Sequence, residues 1–221
     1  DPVTGEPTGM LKDNAMSLVY TLIPDPPQEE YDLACAAALA HAKSLGVTSI
    51  QDITYKNDLL AYQRFEKQGK LSCRVYTRLP VSEYKNLVEA GITAGFGGDK
   101  IKLGSLKVFA DGSLGSSTAW FFEPYVQDPS TSGLPNDIVS DGRLRKWAID
   151  ADKNGLQLCI HAIGDKANRY ILDLFQEIVD VNPKWDRRFR IEHAQHVRFE
   201  DIPLFKKLGV IASVQPFHCI D

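Results

Sequence analysis

A chain of 221 residues, 43% of them hydrophobic and 24% charged, can bury a sizeable core and has the composition of an ordinary globular protein. Its formal charge of −4, with Trp185-Asp186-Arg187-Arg188-Phe189-Arg190 as its one basic cluster, argues against nucleic acid as a main partner. No apolar run approaches the roughly 20 residues that cross a bilayer, and the polar opening Asp1-Pro2-Val3-Thr4-Gly5-Glu6 has neither region of a secretory signal. Such an opening is expected where the natural start lies upstream. Localisation is therefore unread, with a cytoplasmic setting favoured for this segment.

In chain order, strands and helices alternate. Pro26-Pro27-Gln28-Glu29-Glu30 opens a helical run through Leu33, Ala37, Ala40 and Ala42, with acidic residues in the first turn and Gly46 just past the end. A strand, Val47-Thr48-Ser49-Ile50-Gln51, follows at once. Next come a helix from about Asn57 to Lys67 stopped by Gly69, a strand from Cys73 to Leu79, a helix from about Ser82 to Ala90 and a strand near Ile101 to Ala110. After a long loop come a helix from about Asp141 to Lys153 stopped by Gly155, and a strand from Leu156 to His161. A helix from about Lys166 to Val179, a strand from Phe189 to His193, a helix from about Glu200 to Leu208 and a strand from Val210 to Val214 complete the pattern.

Six strands joined by helices imply a parallel sheet, either an open doubly wound one or part of a (β/α)₈ TIM barrel. The polar residues favour the α/β barrel, whose active sites are built from C-terminal strand ends. Asp52, Lys107, Asp111, His161, His193 and Gln215 all sit at or just beyond such ends. No GxGxxG follows the first strand, and Gly95-Phe96-Gly97-Gly98-Asp99 reads as a flexible turn. Cys35, Cys73, Cys159 and Cys219 show no zinc-type spacing, so free, mostly buried thiols are expected.

The chemistry concentrates on one lysine and two histidines. Lys107 lies in the apolar run Leu106-Lys107-Val108-Phe109-Ala110, and a lysine is almost never buried unpaired. Alternation places Lys107 on one face with Ser105 and Phe109, His161 with Gln157 and Cys159, and His193 with Phe189 and Ile191. Leu106, Val108 and Ala110 then face the helices. So do Arg190 and Glu192, a costly position for charge unless they pair or the strand bulges. Lys107 reads either as a Schiff-base nucleophile or as a carbamate bridging two metal ions. The histidines favour the carbamate, because neutral imidazoles alone leave a metal's charge uncompensated.

Four segments carry a resemblance: 106–116 (LKVFADGSLGS), 161–167 (HAIGDKA), 190–195 (RIEHAQ) and 213–218 (SVQPFH). Together they resemble the amidohydrolase superfamily, in its N-substituted formamide deformylase-like branch, amidohydrolase family 3. The likeness runs from Thr4 to the end of the chain. It implies a metal-binding barrel with Lys107 as carbamylated bridging ligand, His161 as the ligand after the fifth strand and His193 as the ligand after the sixth. The implied cofactor is one or two divalent ions, zinc suiting the ligands and iron, manganese or nickel tolerating them.

The resemblance also implies pieces that the sequence lacks. Members hold metal with an HxH pair after the first strand and use an Asp after the eighth as ligand and general base. No HxH occurs here, His41 falls in a helix, and Asp221 follows the seventh strand too closely, so no catalytic residue is assigned. Residues 1–221 are therefore expected to be a partial barrel domain, lacking the first and last strands and the β-sandwich, inactive alone. Six strands cannot close an eight-stranded barrel, so the free edges are expected either to be covered by a partner copy or to remain a liability for aggregation.

The implied reaction is hydrolysis of a C–N bond in a small amide or formamide by metal-activated water. Asp165 and Gln195 are proposed as partners of the histidines' second nitrogens. The long segment from Gly112 to Asp137 is either a cover with Trp120, Phe121, Phe122 and Tyr125 as its apolar wall, or a loop pinned by those aromatics. Two rivals stay open: a non-catalytic regulatory or interaction module, and a Schiff-base lyase using Lys107.

Overall fold

The structure, a computed structural model, describes residues 4–219; Asp221 and the first three residues lie outside the described residues. After short turns that include α1 (Ser17–Tyr20), the order is α2 (Gln28–Ser44), β1 (Ser49–Ile53), α3 (Lys56–Lys67), β2 (Arg74–Pro80), α4 (Tyr84–Glu89), β3 (Phe96–Gly97) and β4 (Ile101–Phe109). It continues through α5 (Asp137–Ser140), α6 (Arg143–Lys153), β5 (Gln157–Ala162), α7 (Asp165–Val181), β6 (Arg190–His193), α8 (Ile202–Leu208) and β7 (Ile211–Ser213). Each of the six expected strands is present within two residues of its expected bounds. Gly46, Gly69 and Gly155 end α2, α3 and α6 with φ of 71°, 67° and 74°, a conformation that a Cβ would penalise.

Six strands pair in parallel in the order β1-β2-β4-β5-β6-β7. Every strand lies beside its predecessor, with no reversal of order, and this excludes the doubly wound alternative. The sheet is an arc of a barrel. Its curvature shows in an ion pair: Arg78 on β2 meets Glu192 on β6 at 3.1 Å although β4 and β5 lie between them. In a flat sheet three strand spacings would hold them about 14 Å apart. Likewise the Tyr76 hydroxyl on β2 donates to Gln157 Oε1 on β5 at 2.6 Å.

The remaining strand differs from expectation. Phe96–Gly97 pairs antiparallel with β4, so the glycine-rich segment is a small hairpin and not simply a flexible turn. Its glycines hid it, because strand propensity is lowest there.

The outward faces of β4, β5 and β6 form the main core. Leu106, Val108, Leu158, Ile160, Phe189 and Ile191 pack with Leu144 and Ala148 of α6 and with Ile171, Leu172, Phe175 and Ile178 of α7. The α7 residues recur at three- and four-residue spacing, the stripe that an amphipathic helix turns inward. Phe175 stacks on Phe189 with centroids 4.2 Å apart. A second core under α2 and α3 contains Cys35, Leu39, Phe65, Cys73 and Val75. Cys35, Cys73 and Cys159 are buried and Cys219 is exposed, all four free, as expected.

The faces of β6 are opposite to the sequence expectation. Phe189 and Ile191 belong to the helix-side core, whereas Arg190 and Glu192 face the concave side. There Glu192 takes Arg78, Arg190 and the Cys159 thiol at 3.1, 2.8 and 3.1 Å. Three donors on one carboxylate satisfy the charge whose burial the sequence made costly. His193 breaks the alternation: it and Ala194 have φ of 73° and 43°, which swings the imidazole back to the concave side. The basic cluster is equally absorbed, since Arg187 pairs with buried Asp152 at 2.8 Å and Arg188 with Asp186 at 2.8 Å.

Candidate metal centre

Lys107, His161 and His193 come from adjacent strand ends. Parallel register sets Phe109 opposite His161 and Ala162 opposite His193. The His161 and His193 rings lie 4.7 Å apart edge to face, and Phe109 sits 5.1 Å from His161. Lys107 Nζ lies over the same Phe109 ring, 4.3 Å from its centroid. The three sequence candidates therefore form one contiguous group, Lys107 and His161 against Phe109 and His193 against His161.

Lys107 is 5% exposed. Burial pushes its amine down to about 8, against the pull of Cys159 and Glu192 and with help from Arg78. An appreciable share is thus the neutral amine near neutral pH, the form that can attack carbon dioxide or a carbonyl. The Cys159 thiol beside it is pushed up to about 11 by burial and stays protonated, so it is a hydrogen-bond donor here and not a thiolate ligand.

Each imidazole is set by the acceptor it faces. His161 Nε2 donates to the Gly112 carbonyl at 2.8 Å, because a carbonyl can only accept. That leaves the lone pair on Nδ1, which is buried and without a partner among the described residues. His193 Nδ1 faces Gln215 Oε1 at 2.9 Å, which leaves Nε2 as its lone-pair nitrogen. Burial pushes His193 down, outweighing that hydrogen bond, and the charges of His161 and Lys107 act in the same direction. A neutral imidazole is the state a metal requires.

Among the described residues no group of three or more His, Cys, Asp or Glu could hold a metal ion. The donor set is two imidazoles plus a lysine with an acidified amine. The orphaned Nδ1 and the tautomers imposed by Gly112 and Gln215 fit a cation at this place, as one side of a centre.

The partners of the histidines differ from the sequence proposal. Asp165 Oδ1 accepts the Phe122 N–H at 3.0 Å, and it is Gly112 and Gln215 that hold the rings. His218, whose ring lies 6.2 Å from His193, is a third imidazole that sequence reasoning left unassigned; its signal was the 213–218 segment that carried the resemblance.

The segment after β4 is an ordered excursion. Its neck closes where Asp111 bridges Pro135 and Asn136 N donates to Ala110 O at 2.8 Å. Trp120 packs on Tyr170 of α7, Phe121 on Tyr125 and His196, and Arg198 lies 4.4 Å from the Phe122 centroid. Trp120 sits so close to α7 that a Cβ on Gly164 would fall 2.0 Å from the Trp120 oxygen. The aromatics thus pin the excursion to the α7 side. A cavity of about 310 Å³ opens beside Lys107 instead, walled by Ile53, Tyr55, Val108, Phe109, Ile138 and Trp147 with Arg143 at its side. A larger one, about 820 Å³, lies at the start of α3 and contains none of the three candidates.

An arc of parallel strands with its polar groups gathered at the C-terminal strand ends is part of a (β/α)₈ barrel of the metal-dependent hydrolase type. The chain belongs to the amidohydrolase family, whose sequence pattern matches residues 2–221. It is 36% identical over 230 residues to Protein LONG AFTER FAR-RED 3 of Arabidopsis thaliana, covering 99% of this chain and 39% of that protein. It is 31% identical to the putative amidohydrolase YtcJ of Bacillus subtilis, covering 96% of this chain and 40% of that protein. The crystal structure of an uncharacterized metal-dependent hydrolase from Pyrococcus horikoshii superposes with a TM-score of 0.80 at 33% identity, over 96% of this chain and 42% of that one. The chain thus spans about two fifths of the length of these relatives. Among the described residues no helix is long and apolar enough to cross a membrane.

Proposed function

We propose that this chain is the central part of a metal-dependent amidohydrolase that cleaves a C–N bond of a small amide or formamide, in the N-substituted formamide deformylase-like branch. The observation that carries the reading is the buried, unpartnered Nδ1 of His161, set against His193 and next to a lysine whose amine is acidified. A divalent ion, zinc before others, would supply positive charge that acidifies water and polarises a carbonyl. His161 presents Nδ1 to it and His193 presents Nε2. Lys107, when its neutral amine adds carbon dioxide and releases a proton, contributes an anionic oxygen donor. Phe109 packs against the Lys107 amine and the His161 ring, and the apolar cavity beside Lys107 suits an apolar substituent of the substrate.

The remaining ligands and the general base belong to parts of the protein beyond these 221 residues, and the isolated chain is inactive. The test is elemental analysis of the 221-residue chain and of a chain extended to the length of its relatives, in bicarbonate buffer, each beside Lys107→Ala. Near-stoichiometric metal, lost in the variant, is expected at least in the extended chain. Metal absent from the extended chain overturns the reading in favour of a non-catalytic module. Turnover of N-substituted formamides or amides, with esters as controls, tests the bond.

A further inference from the structure

One buried carboxylate beside the candidate centre has no role in the account above. Asp111 is 3% exposed and pairs with no lysine or arginine among the described residues. Its Oδ2 accepts the Trp120 N–H at 2.9 Å and the Gly164 N–H at 2.9 Å. Its Oδ1 accepts the Ile163 N–H at 3.1 Å and lies 3.4 Å from His161 Nε2. Two oxygens therefore gather four donors from three places: the excursion after β4, the turn from β5 into α7, and the His161 ring. A buried carboxylate without a cation is costly. Here the backbone N–H groups at the start of the 17-residue α7 offset that cost, aided by the positive end of the helix dipole.

We infer that Asp111 is a positioning residue that fixes the tautomer and direction of His161 while locking the excursion onto α7. Nε2 faces two acceptors, the Gly112 carbonyl and Asp111 Oδ1, and no donor, so its proton stays there and the Nδ1 lone pair points away. Gly112 is itself the residue after Asp111, and its N–H donates to Thr118 O at 3.2 Å. The carboxylate thereby orients His161 both directly and through the neck of the excursion. The value of this orientation to a metal rests on the proposed function; the orientation itself does not.

The experiment is NMR on the uniformly ¹⁵N-labelled 221-residue chain, reading the His161 ring nitrogens and the exchange of three amides, beside Asp111→Asn, Asp111→Ala and Asp165→Asn. In the wild type His161 is expected to carry its proton on Nε2, and the Trp120, Ile163 and Gly164 amides to exchange at least ~10²-fold slower than in a free peptide. In Asp111→Asn the amide NH₂ replaces one acceptor, so the His161 ring shifts change and Zn²⁺ binding weakens by about 10-fold or more. Asp165→Asn loosens only the Phe122 amide and serves as the structural control. A wild-type His161 protonated on Nδ1, or an Asp111→Asn variant that frees the amides yet leaves the ring shifts unchanged, overturns the inference. Should both Asp111 variants fail to fold, the wild-type tautomer and amide protection decide alone. Absence of Zn²⁺ binding in the 221-residue wild type, with the ring pattern as expected, counts neither against the role of Asp111, which the ring pattern decides, nor against the proposed function, which the extended chain decides.

Discussion

His161 and His193 present the same group and are held in different ways. His161 continues a regular strand, is 7% exposed, and meets acceptors from the excursion after β4. His193 leaves β6 through two left-handed residues, and its ring is held by a hydrogen bond to the side chain of Gln215, just past β7. Below His193 lies the ionic group of Arg78, Glu192 and Arg190, whereas the neighbourhood of His161 is closed by close packing of Trp120 on Gly164. One histidine is positioned by packing and main-chain hydrogen bonds, the other by charge pairs and backbone strain. Their sensitivities should differ accordingly.

The largest break is expected on the His193 side. Glu192→Ala leaves buried Arg78 and partly buried Arg190 without their carboxylate, at a cost of about 3–5 kcal/mol, read by urea denaturation. Loss of less than about 1 kcal/mol would show that the ionic group is incidental. The same carboxyl makes a pH prediction. Burial raises its pKa, but hydrogen bonds from Arg190 and Cys159 and the charges of Arg78 and Arg190 prevail and hold it at about 2, against an ordinary 4.5. A depressed carboxyl stabilises the fold above its unfolded pKa, so a contribution on the order of 3 kcal/mol fades as pH falls from about 4.5 towards 2. Unfolding monitored across that window should lose this acid limb in Glu192→Gln.

On the His161 side, Gly164→Ala places a methyl group against the Trp120 carbonyl and should cost about 2 kcal/mol by overpacking. Local amide exchange in the excursion should rise while the Glu192 acid limb stays as it was. Smallest is Gln215→Ala, expected to cost about 1 kcal/mol or less in stability. It should broaden or shift the His193 ring signals and leave those of His161 unchanged. Equal responses of both rings to this change would refute the division drawn here.

Most of the fold was legible because alternation at period two and at 3.6 is strong in this chain. The glycine stops and apolar stripes located six strands and the helices between them. The lysine and two histidines were legible because a lone lysine in an apolar strand and histidines at strand ends are chemically unusual. The facing of Arg190 and Glu192 was not. Strict alternation was counted back from His193, and the left-handed turn at His193 and Ala194 shifts the count by one residue. Asp111 was visible as a strand-end carboxylate, but its role depends on N–H groups from residues 9, 52 and 53 positions away, a closeness created only by tertiary folding. Gln215 was visible in the same way and Gly112 was not, and the role of each stayed hidden, since neither a carbonyl's direction nor a distant amide's reach is encoded in local periodicity.

The pair of left-handed residues at His193 and Ala194 has one more consequence. Left-handed backbone costs non-glycine residues on the order of 1–2 kcal/mol each, and it persists only where the surrounding packing over-determines it. The direction in which the His193 side chain leaves the main chain is thus set by the backbone, and Gln215 and the His161 ring restrain the two torsions that remain. A ligand arriving there meets a donor whose conformational entropy was surrendered during folding, and binding need not lose it again.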